Sequence, residues 1–476
     1  MQTTPNQTVM LINPRATYYN EIAQKCFPPM NLLYLAAALQ ERSWRPVVLD
    51  ANAFRMTDEQ IADRIREAKP LVVGLSVFSE ILTQIRDLTR LVRGASPRTR
   101  IVLGGPHVNA VPRRSMEQFG EADFLLLGEG ERSLPALCDA LRTGGEQPRP
   151  EALASVPGLM WREDGRIREG AALDLPDDLD RLPWPARDLI EDAYQEKRYY
   201  SIMVRKMPVD TLFTSRGCPF RCGFCYNFRF KYRPRTPEDV VHELASIRDR
   251  GIRDVEICDD TFTANRRRAI EILDLIIKEK LDISFRIKSR VDVFKEDLAA
   301  KAAEAGVYLV AFGTESASQR MLEIMNKKVT VEQSAQAIHL CRKYRMLSHS
   351  SWIFGYPGET RESIEETYNF VMRHKPSTAN FAVLRPYPAT EAYQIAADSG
   401  ALVGEWDPDA EHMPWVRLPW APEKAVLDEI CRKIMRRVYF HPYYMYSFGN
   451  QIVRGANWKL GRYAMQESMK VFGLRR

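Results

Sequence analysis

Residues 209–226 read VDTLFTSRGCPFRCGFCY. The opening VDTLFTS has the apolar and β-branched content of a buried strand. Directly after it, three of the chain's eight cysteines, Cys218, Cys222 and Cys225, fall within eight positions. A strand that runs into a ligand-bearing loop is the unit of a β/α barrel, whose chemistry sits on the loops after the strands. Three thiolates are one short of the usual four around a zinc ion or an iron–sulfur cluster, so a fourth position is left open.

Working downstream, strands are expected at 254–258 (DVEIC), 283–288 (ISFRIK), 307–312 (VYLVAF), 349–354 (HSSWIF) and 380–384 (NFAVL). Helices lie between them. One starts on Thr236 with Pro237 in its first turn, and another on Thr330 with Gln333 completing a capping box. Six such units over 209–390 predict a TIM-type barrel, incomplete at six. The residues following its strands are Asp259 and Asp260, Arg290, Glu315, then Gly355 and Pro357 in a Gly-Tyr-Pro-Gly-Glu run. Acids and an arginine around one mouth suit a zwitterionic ligand, since its amino group needs carboxylates and its carboxylate needs arginine.

Upstream, strands at 9–14, 45–50, 71–77, 100–105 and 123–128 alternate with helices, one opening on a Thr57–Gln60 capping box. This βαβ pattern predicts a doubly wound, Rossmann-like parallel sheet over 1–145. Ligands of such sheets sit at the carboxyl ends of the strands. Those ends carry Asp50, Ser76, Gly104, Gly105, His107, Gly128 and Glu129. Residues 146–208, rich in Pro, Asp and Arg, read as a linker with local turns. Residues 391–476 read as a mostly helical C-terminal domain. The fold class is therefore α/β, with two α/β domains in series and a helical tail.

Hydrophobic residues make up 45% and charged residues 27% of the 476, as in an ordinary globular protein. No apolar run approaches the roughly 20 residues of a membrane span. The first residues lack the basic and apolar regions of a secretory signal, so a cytoplasmic location is expected. There, clustered cysteines serve metals or catalysis rather than disulfides. No second cysteine pair exists among Cys26, Cys138, Cys258, Cys341 and Cys431 to complete a zinc site. Cys138, Cys258 and Cys341 read as buried filler, and Cys26 as a loop residue facing the first sheet's ligand edge. The net charge of +6 is uneven: residues 431–476 hold ten Lys/Arg and one Glu. This basic, aromatic tail suits an acidic or lipophilic substrate or a peripheral membrane contact, the plainer alternative being a helical cap with a solvated basic face.

Cys218-x-x-x-Cys222-x-Phe224-Cys225 resembles the signature of radical S-adenosylmethionine (SAM) enzymes. The resemblance implies that the three cysteines hold a [4Fe–4S] cluster whose remaining iron is left to the amino and carboxylate groups of SAM. It implies reductive cleavage of SAM to a 5′-deoxyadenosyl radical, hydrogen abstraction from a small-molecule substrate, and an external electron donor of the flavodoxin or ferredoxin type. By the same resemblance Asp259 and Asp260 occupy the place of the SAM amino contact, Arg290 that of the carboxylate, and Glu315 that of the acid lining the SAM site. Gly355 and Pro357 match the motif packed near adenine.

The upstream pieces FPPMNLLYLAAAL, VVLDAN, VVGLSVFS, VLGGPHVNA and LLLGEGE resemble the cobalamin-binding domain fused ahead of many radical SAM enzymes. That implies cobalamin at the edge formed by Asp50, Asn52, Ser76, Gly104, Gly105, Gly128 and Glu129. One departure stands out. Relatives that ligate cobalt through histidine read Asp-x-His-x-x-Gly, where this chain reads Asp50-Ala-Asn52-Ala-Phe-Arg55. A lower axial histidine is absent there, and His107 reads as a loop residue near the nucleotide tail. A domain kept only as scaffold is the alternative. The whole resembles a cobalamin-dependent radical SAM enzyme, and methyl transfer to an unactivated carbon is expected. The nearest rival resembles the anaerobic magnesium-protoporphyrin ester cyclase, which implies cyclisation or oxidation without methyl transfer. No nucleic-acid partner is expected, since neither a second cysteine triad nor an RNA-binding module is present.

Overall fold

The computed structural model describes residues 7–15, 25–143, 148–201, 203–226 and 230–447. They fall into two compact units. The first takes in the described residues of Cys26–Tyr199 together with the chain start and Glu405–His412; the second takes in those of Tyr200–Gly404 and from Met413 on.

The first unit is built on strands β1 (Thr8–Asn13), β2 (Arg45–Asp50), β3 (Val72–Ser76), β4 (Arg100–Gly104) and β5 (Phe124–Leu126). They alternate with α1 (Met30–Glu41), α2 (Asp58–Ala68) and α3 (Leu82–Ala95), and β5 is followed by α4 (Gly130–Thr143). The five strands pair parallel in the order β2-β1-β3-β4-β5. Their cores are apolar because helices cover both faces of such a sheet. Thr57 and Gln60 form the expected capping box of α2. Register aligns Asn13 with Asp50 and Ser76 with Gly104, so these residues share the carboxyl edge.

Residues 148–199 are not a linker. They belong to the first unit, and two of their segments, β6 (Leu159–Glu163) and β7 (Arg166–Glu169), extend the sheet antiparallel beyond β5. Leu159, Met160 and Trp161 are buried there, which gives the added hairpin its hold.

The second unit holds six parallel strands in sequential order: β8 (Asp210–Leu212), β9 (Asp254–Ile257), β10 (Ser284–Ser289), β11 (Val307–Glu315), β12 (Leu347–Phe354) and β13 (Thr378–Val383). Between them run α5 (Pro237–Asp249), α6 (Arg266–Lys278), α7 (Glu296–Glu304), α8 (Val331–Lys343) and α9 (Arg361–His374). This is the incomplete barrel expected from the alternation. Thr236 caps α5, and Thr330 with Gln333 caps α8 as expected; Thr360 and Ser363 box the start of α9.

The C-terminal part is less purely helical than expected. After α10 (Glu391–Asp398), Leu402–Val403 pairs antiparallel with Trp415–Val416, and α11 (Lys424–Tyr439) follows. Cys431, Ile434 and Val438 of α11 pack with Trp352, Phe354 and Phe381 of the barrel. The Tyr439 hydroxyl donates to Ala379 O at 2.5 Å, the Tyr443 hydroxyl donates to Lys375 O at 3.3 Å, and Tyr444 is buried. Those tyrosines pack on the helix-covered side of the barrel. Residues 448–476 of the basic tail lie outside the described residues. Among the described residues, no helix is long and apolar enough to cross a membrane.

Candidate functional site

The cysteine loop leaves the end of β8 and is closed at its base by Ser215–Arg216 pairing antiparallel with Arg233–Pro234. Asp259, just past β9, fixes that base. Its Oδ1 accepts from the Thr214 and Ser215 N–H groups at 2.6 and 3.1 Å, and its Oδ2 accepts from their hydroxyls at 2.5 and 2.6 Å. Arg268, buried beside it, donates to Thr214 O at 2.6 Å. This corrects the expected role of Asp259 as a SAM contact. Its lone pairs are filled by the chain itself and it is wholly buried. Asp260, its neighbour, is exposed and close enough to Cys218 to act on that thiol's charge.

Within the loop, backbone bonds set the cysteines. Gly223 N–H donates to Met325 O at 2.9 Å, and Gly223 O accepts from Ala392 N–H at 2.8 Å. Asn326 Nδ2 donates to Arg221 O at 2.7 Å. A Cβ at position 223 would fall inside contact distance of Tyr356 Oη and 2.9 Å from Glu391 Oε2. Gly217 stands at φ +74°, where a Cβ would lie 2.6 Å from the Phe230 and Lys231 carbonyl oxygens. Gly217 therefore needs glycine, whereas a side chain at 223 would have to displace the Tyr356 and Glu391 ends.

Cys222 is buried, while Cys218 and Cys225 are half-buried. Burial raises the Cys218 thiol's pKa, against hydrogen bonds from Phe220 N–H and the Thr261 hydroxyl. Arg290 Nη1 lies 3.9 Å from Cys222 Sγ, and its guanidinium stacks 3.9 Å from the Phe220 ring centroid. Asp292 and Lys327 O hold it there. Glu315 sits at φ +65° on the bulge ending β11 and pairs with buried Lys327 at 3.0 Å. Burial lowers the Lys327 pKa, but Glu315 and Cys222 more than offset it, so the net shift is upward. Gly355 takes φ +84° ahead of fully buried Tyr356, whose hydroxyl has no hydrogen-bond partner among the described residues. Phe224 packs into the same apolar cluster as Tyr356.

The structure thus brings Cys222, Phe224, Arg290 and Glu315 together, with Lys327, Tyr356 and Glu391 as neighbours the sequence did not flag. Among the described residues no three His, Cys, Asp or Glu side chains close on one point, so a single ion finds no ready-made site. Thiols spread along a loop with cations beside them fit a multi-iron cluster, in which each thiolate takes a different iron and the net charge is negative.

In the first unit, two expected ligand contacts are core residues instead. Asp50 is buried and accepts from Asn13 Nδ2, Ala53 N–H and the Tyr199 hydroxyl at 2.8, 3.0 and 2.9 Å; burial pushes its pKa up. His107 is not a loop residue facing a ligand. It is wholly buried, with Nδ1 2.9 Å from the Ser79 hydroxyl and Nε2 3.1 Å from Gln118 Oε1, and burial lowers its pKa. Asn52 Nδ2 donates to Cys26 Sγ at 3.5 Å. Ser76, Gly104, Gly105, Gly128 and Glu129 are half-buried along the edge. Gly105 at φ +102° brings its backbone so close that a Cβ would lie 2.7 Å from Ser76 Oγ. Phe78 follows β3 and Leu173 lies against Gly128; they are 44% and 47% exposed. Bare backbone beside exposed apolar side chains fits a bulky, partly apolar ligand.

Comparison with known proteins bears on both units. A radical SAM superfamily model matches residues 212–371, and a B12 binding domain model matches residues 20–138. An uncharacterized methyltransferase of Pyrococcus horikoshii is 32% identical over 441 residues, 91% of this chain and 92% of that one. The anaerobic magnesium-protoporphyrin IX monomethyl ester cyclase of Rubrivivax gelatinosus is 28% identical, covering 78% of this chain and 67% of its own. Among solved structures, the radical SAM methyltransferase TsrM of Kitasatospora setae, with cobalamin and a [4Fe–4S] cluster bound, superposes with TM-score 0.68 at 20% identity. The match covers 84% of this chain and 77% of that one, and at that identity it speaks for the fold.

Proposed function

This chain belongs to the cobalamin-dependent radical SAM methyltransferase family, and we propose that it methylates an unactivated carbon of a small-molecule substrate. The observation that carries the proposal is the clamped thiol loop, with Arg290 and Lys327 beside Cys222, in a chain whose other unit matches a B12 binding domain. When bound, the cluster with SAM supplies a hydrogen-abstracting 5′-deoxyadenosyl radical, and cobalamin supplies a methyl group for transfer.

The chain's own residues have distinct duties in this reading. Cys218, Cys222 and Cys225 would hold three irons, and the clamps on Gly223 and Arg221 keep the thiols in place before the cofactor enters. Arg290 and Lys327 would offset thiolate charge, and Arg290 is the residue assigned to the SAM carboxylate. Asp260, exposed next to Cys218, is the acid for the SAM ammonium, in place of buried Asp259. Glu315, locked by Lys327, presents a fixed acceptor for ribose hydroxyls, and the Gly355 turn with Pro357 shapes the neighbouring wall. In the first unit Ser76, Gly104, Gly105, Gly128 and Glu129 would form the edge for cobalamin, and Asn52 occupies the motif position at which histidine-ligating relatives carry histidine. A flavodoxin- or ferredoxin-type protein serves as electron donor.

Cyclisation or oxidation without methyl transfer is the second reading, favoured by the likeness to the protoporphyrin ester cyclase. Anaerobic incubation of extract or candidate substrates with trideuteromethyl-SAM separates the two. A product carrying the intact labelled methyl on carbon supports methylation; a changed but unlabelled product supports the cyclase-type reading.

A further inference from the structure

The inner face of the barrel sheet carries charge that the site above does not use. Strand alternation puts Glu256, Arg286, Lys288, Ala311, His349 and Ser351 on the face opposite the helix-packed side, where Phe312 and Trp352 are buried. Register pairs Lys288 with Ala311 and Ala311 with His349. Lys288 and His349 therefore stand two strand spacings apart, about 9.6 Å, across a floor of one methyl group. One step along, Glu256 faces Arg286 in register and pairs with it at 2.6 Å.

Lys288 has no such partner. Among the described residues its ammonium meets only the Cys258 carbonyl, at 3.4 Å, and forms no ion pair. On the opposite wall, His349 Nδ1 lies 2.8 Å from Thr378 Oγ1, and Nε2 lies 3.5 Å from Ser351 Oγ. Burial drives the His349 pKa down to about 4, with the charges of Arg286 and Lys25 adding to the effect. Lys25 groups with this second unit. Among the described residues, the row thus holds Lys288 without an ion pair beside the Arg286–Glu256 pair, with Lys25 near enough to act on His349 although burial lowers the Lys25 pKa, around an imidazole and a hydroxyl. Such a field stabilises a negative group entering from solvent.

We propose that this row binds an anionic group of the substrate, a carboxylate or a phosphate. Lys288 supplies the charge, and His349 and Ser351 supply neutral polar contacts from the facing wall. The proposal rests on the methyltransferase reading for placing a substrate in the barrel, and on the inner-face charges for placing its anion.

The test titrates the cofactor-loaded protein with inorganic phosphate and, separately, with acetate, at ionic strength fixed with chloride, reading the melting temperature. A saturable rise is expected for at least one anion, and the stronger binder assigns phosphate or carboxylate. Lys288→Met should weaken that anion about tenfold or more, as loss of a charge-assisted contact does, while Lys288→Arg keeps most of the affinity. No saturable shift with either anion, or equal affinity in wild type and Lys288→Met, overturns the proposal. The titration is repeated at saturating SAM. Persistence of the shift supports a substrate site, whereas its loss assigns the row to the carboxylate of SAM and overturns the proposal. Iron content of the same samples reports separately on the methyltransferase reading, which fails if iron is absent even where Lys288-dependent anion binding survives.

Discussion

Replacing Asp259 with alanine tests whether this acid builds the cysteine loop or binds SAM. In the structure its carboxylate receives two backbone N–H groups and two hydroxyls of Thr214 and Ser215, all buried. It also offsets the charge of buried Arg268, whose pKa burial lowers and Asp259 raises. Each buried donor left unpaired costs about 1–3 kcal/mol. Arg268, not bonded to Asp259 but close enough to feel its charge, would lose that compensation, for which the about 3–5 kcal/mol of breaking a directly bonded buried pair is an upper bound. These overlap, so the expected loss is about 3–5 kcal/mol, a large share of the roughly 5–15 kcal/mol that holds a domain folded. Asp259→Asn should lose less, because the hydroxyls of Thr214 and Ser215 can rotate to accept from the amide. Asp260→Ala, at an exposed position, should stay within about 0.5 kcal/mol while weakening SAM binding. Urea unfolding of the iron-free protein reads the stability, and equilibrium dialysis of the reconstituted protein reads SAM affinity. An Asp259→Asn protein that unfolds at the wild-type urea concentration but loses SAM affinity would refute the reasoning.

Three further outcomes are expected. Anaerobic reconstitution should load about four irons and four sulfides. Cys218→Ala, Cys222→Ala and Cys225→Ala should each lose them, whereas Cys138→Ala and Cys341→Ala, at wholly buried helical positions, should not; zinc as the sole metal after anaerobic purification would contradict this. Gly223→Ala pushes a methyl into Tyr356 Oη and Glu391 Oε2, an overpacking of about 1–3 kcal/mol that should reduce iron retention. Adding Tyr356→Phe should restore part of it, and no restoration would place the strain elsewhere. Burial pushes the Glu359 carboxyl from 4.5 up to about 7, against a hydrogen bond from Ser363. Because the folded-state value is raised, this group's stabilisation is fully present below pH 4.5 and is lost as pH rises through about 7. Glu359→Gln should flatten that part of the urea-midpoint profile, and an unchanged slope would remove Glu359 as its cause.

Much of this architecture is legible in the residues because the signals are local. Runs such as Val9–Ile12 and Val307–Phe312 are apolar on consecutive positions, which strands covered by helices require. Thr57–Gln60 and Thr330–Gln333 announce helix starts through bonds that span three residues. The hairpin at 159–169 carries Asp164-Gly165, both at positive φ and a strong short hairpin signal, but the Pro and Asp residues around it give the segment the composition of a linker. Asp259 and Asp260 are adjacent in sequence, yet one is buried and the other exposed, and no local rule says which acid turns inward. Lys327, Tyr356 and Glu391 reach the cysteine loop from positions roughly a hundred or more residues downstream, and only tertiary folding brings them there. His107 follows a glycine turn like a ligand residue, but Ser79 and Gln118 draw it into the core.

The central claim is methyl transfer by this barrel, and the most direct measurement counts both SAM-derived products against the true substrate in one anaerobic turnover. Recharging a methyl carrier leaves S-adenosylhomocysteine, and hydrogen abstraction leaves 5′-deoxyadenosine. Methylation therefore predicts the two in a ratio of about one-to-one, with product heavier by one methyl group. Formation of 5′-deoxyadenosine alone, with product mass not raised by a methyl group, would contradict the claim.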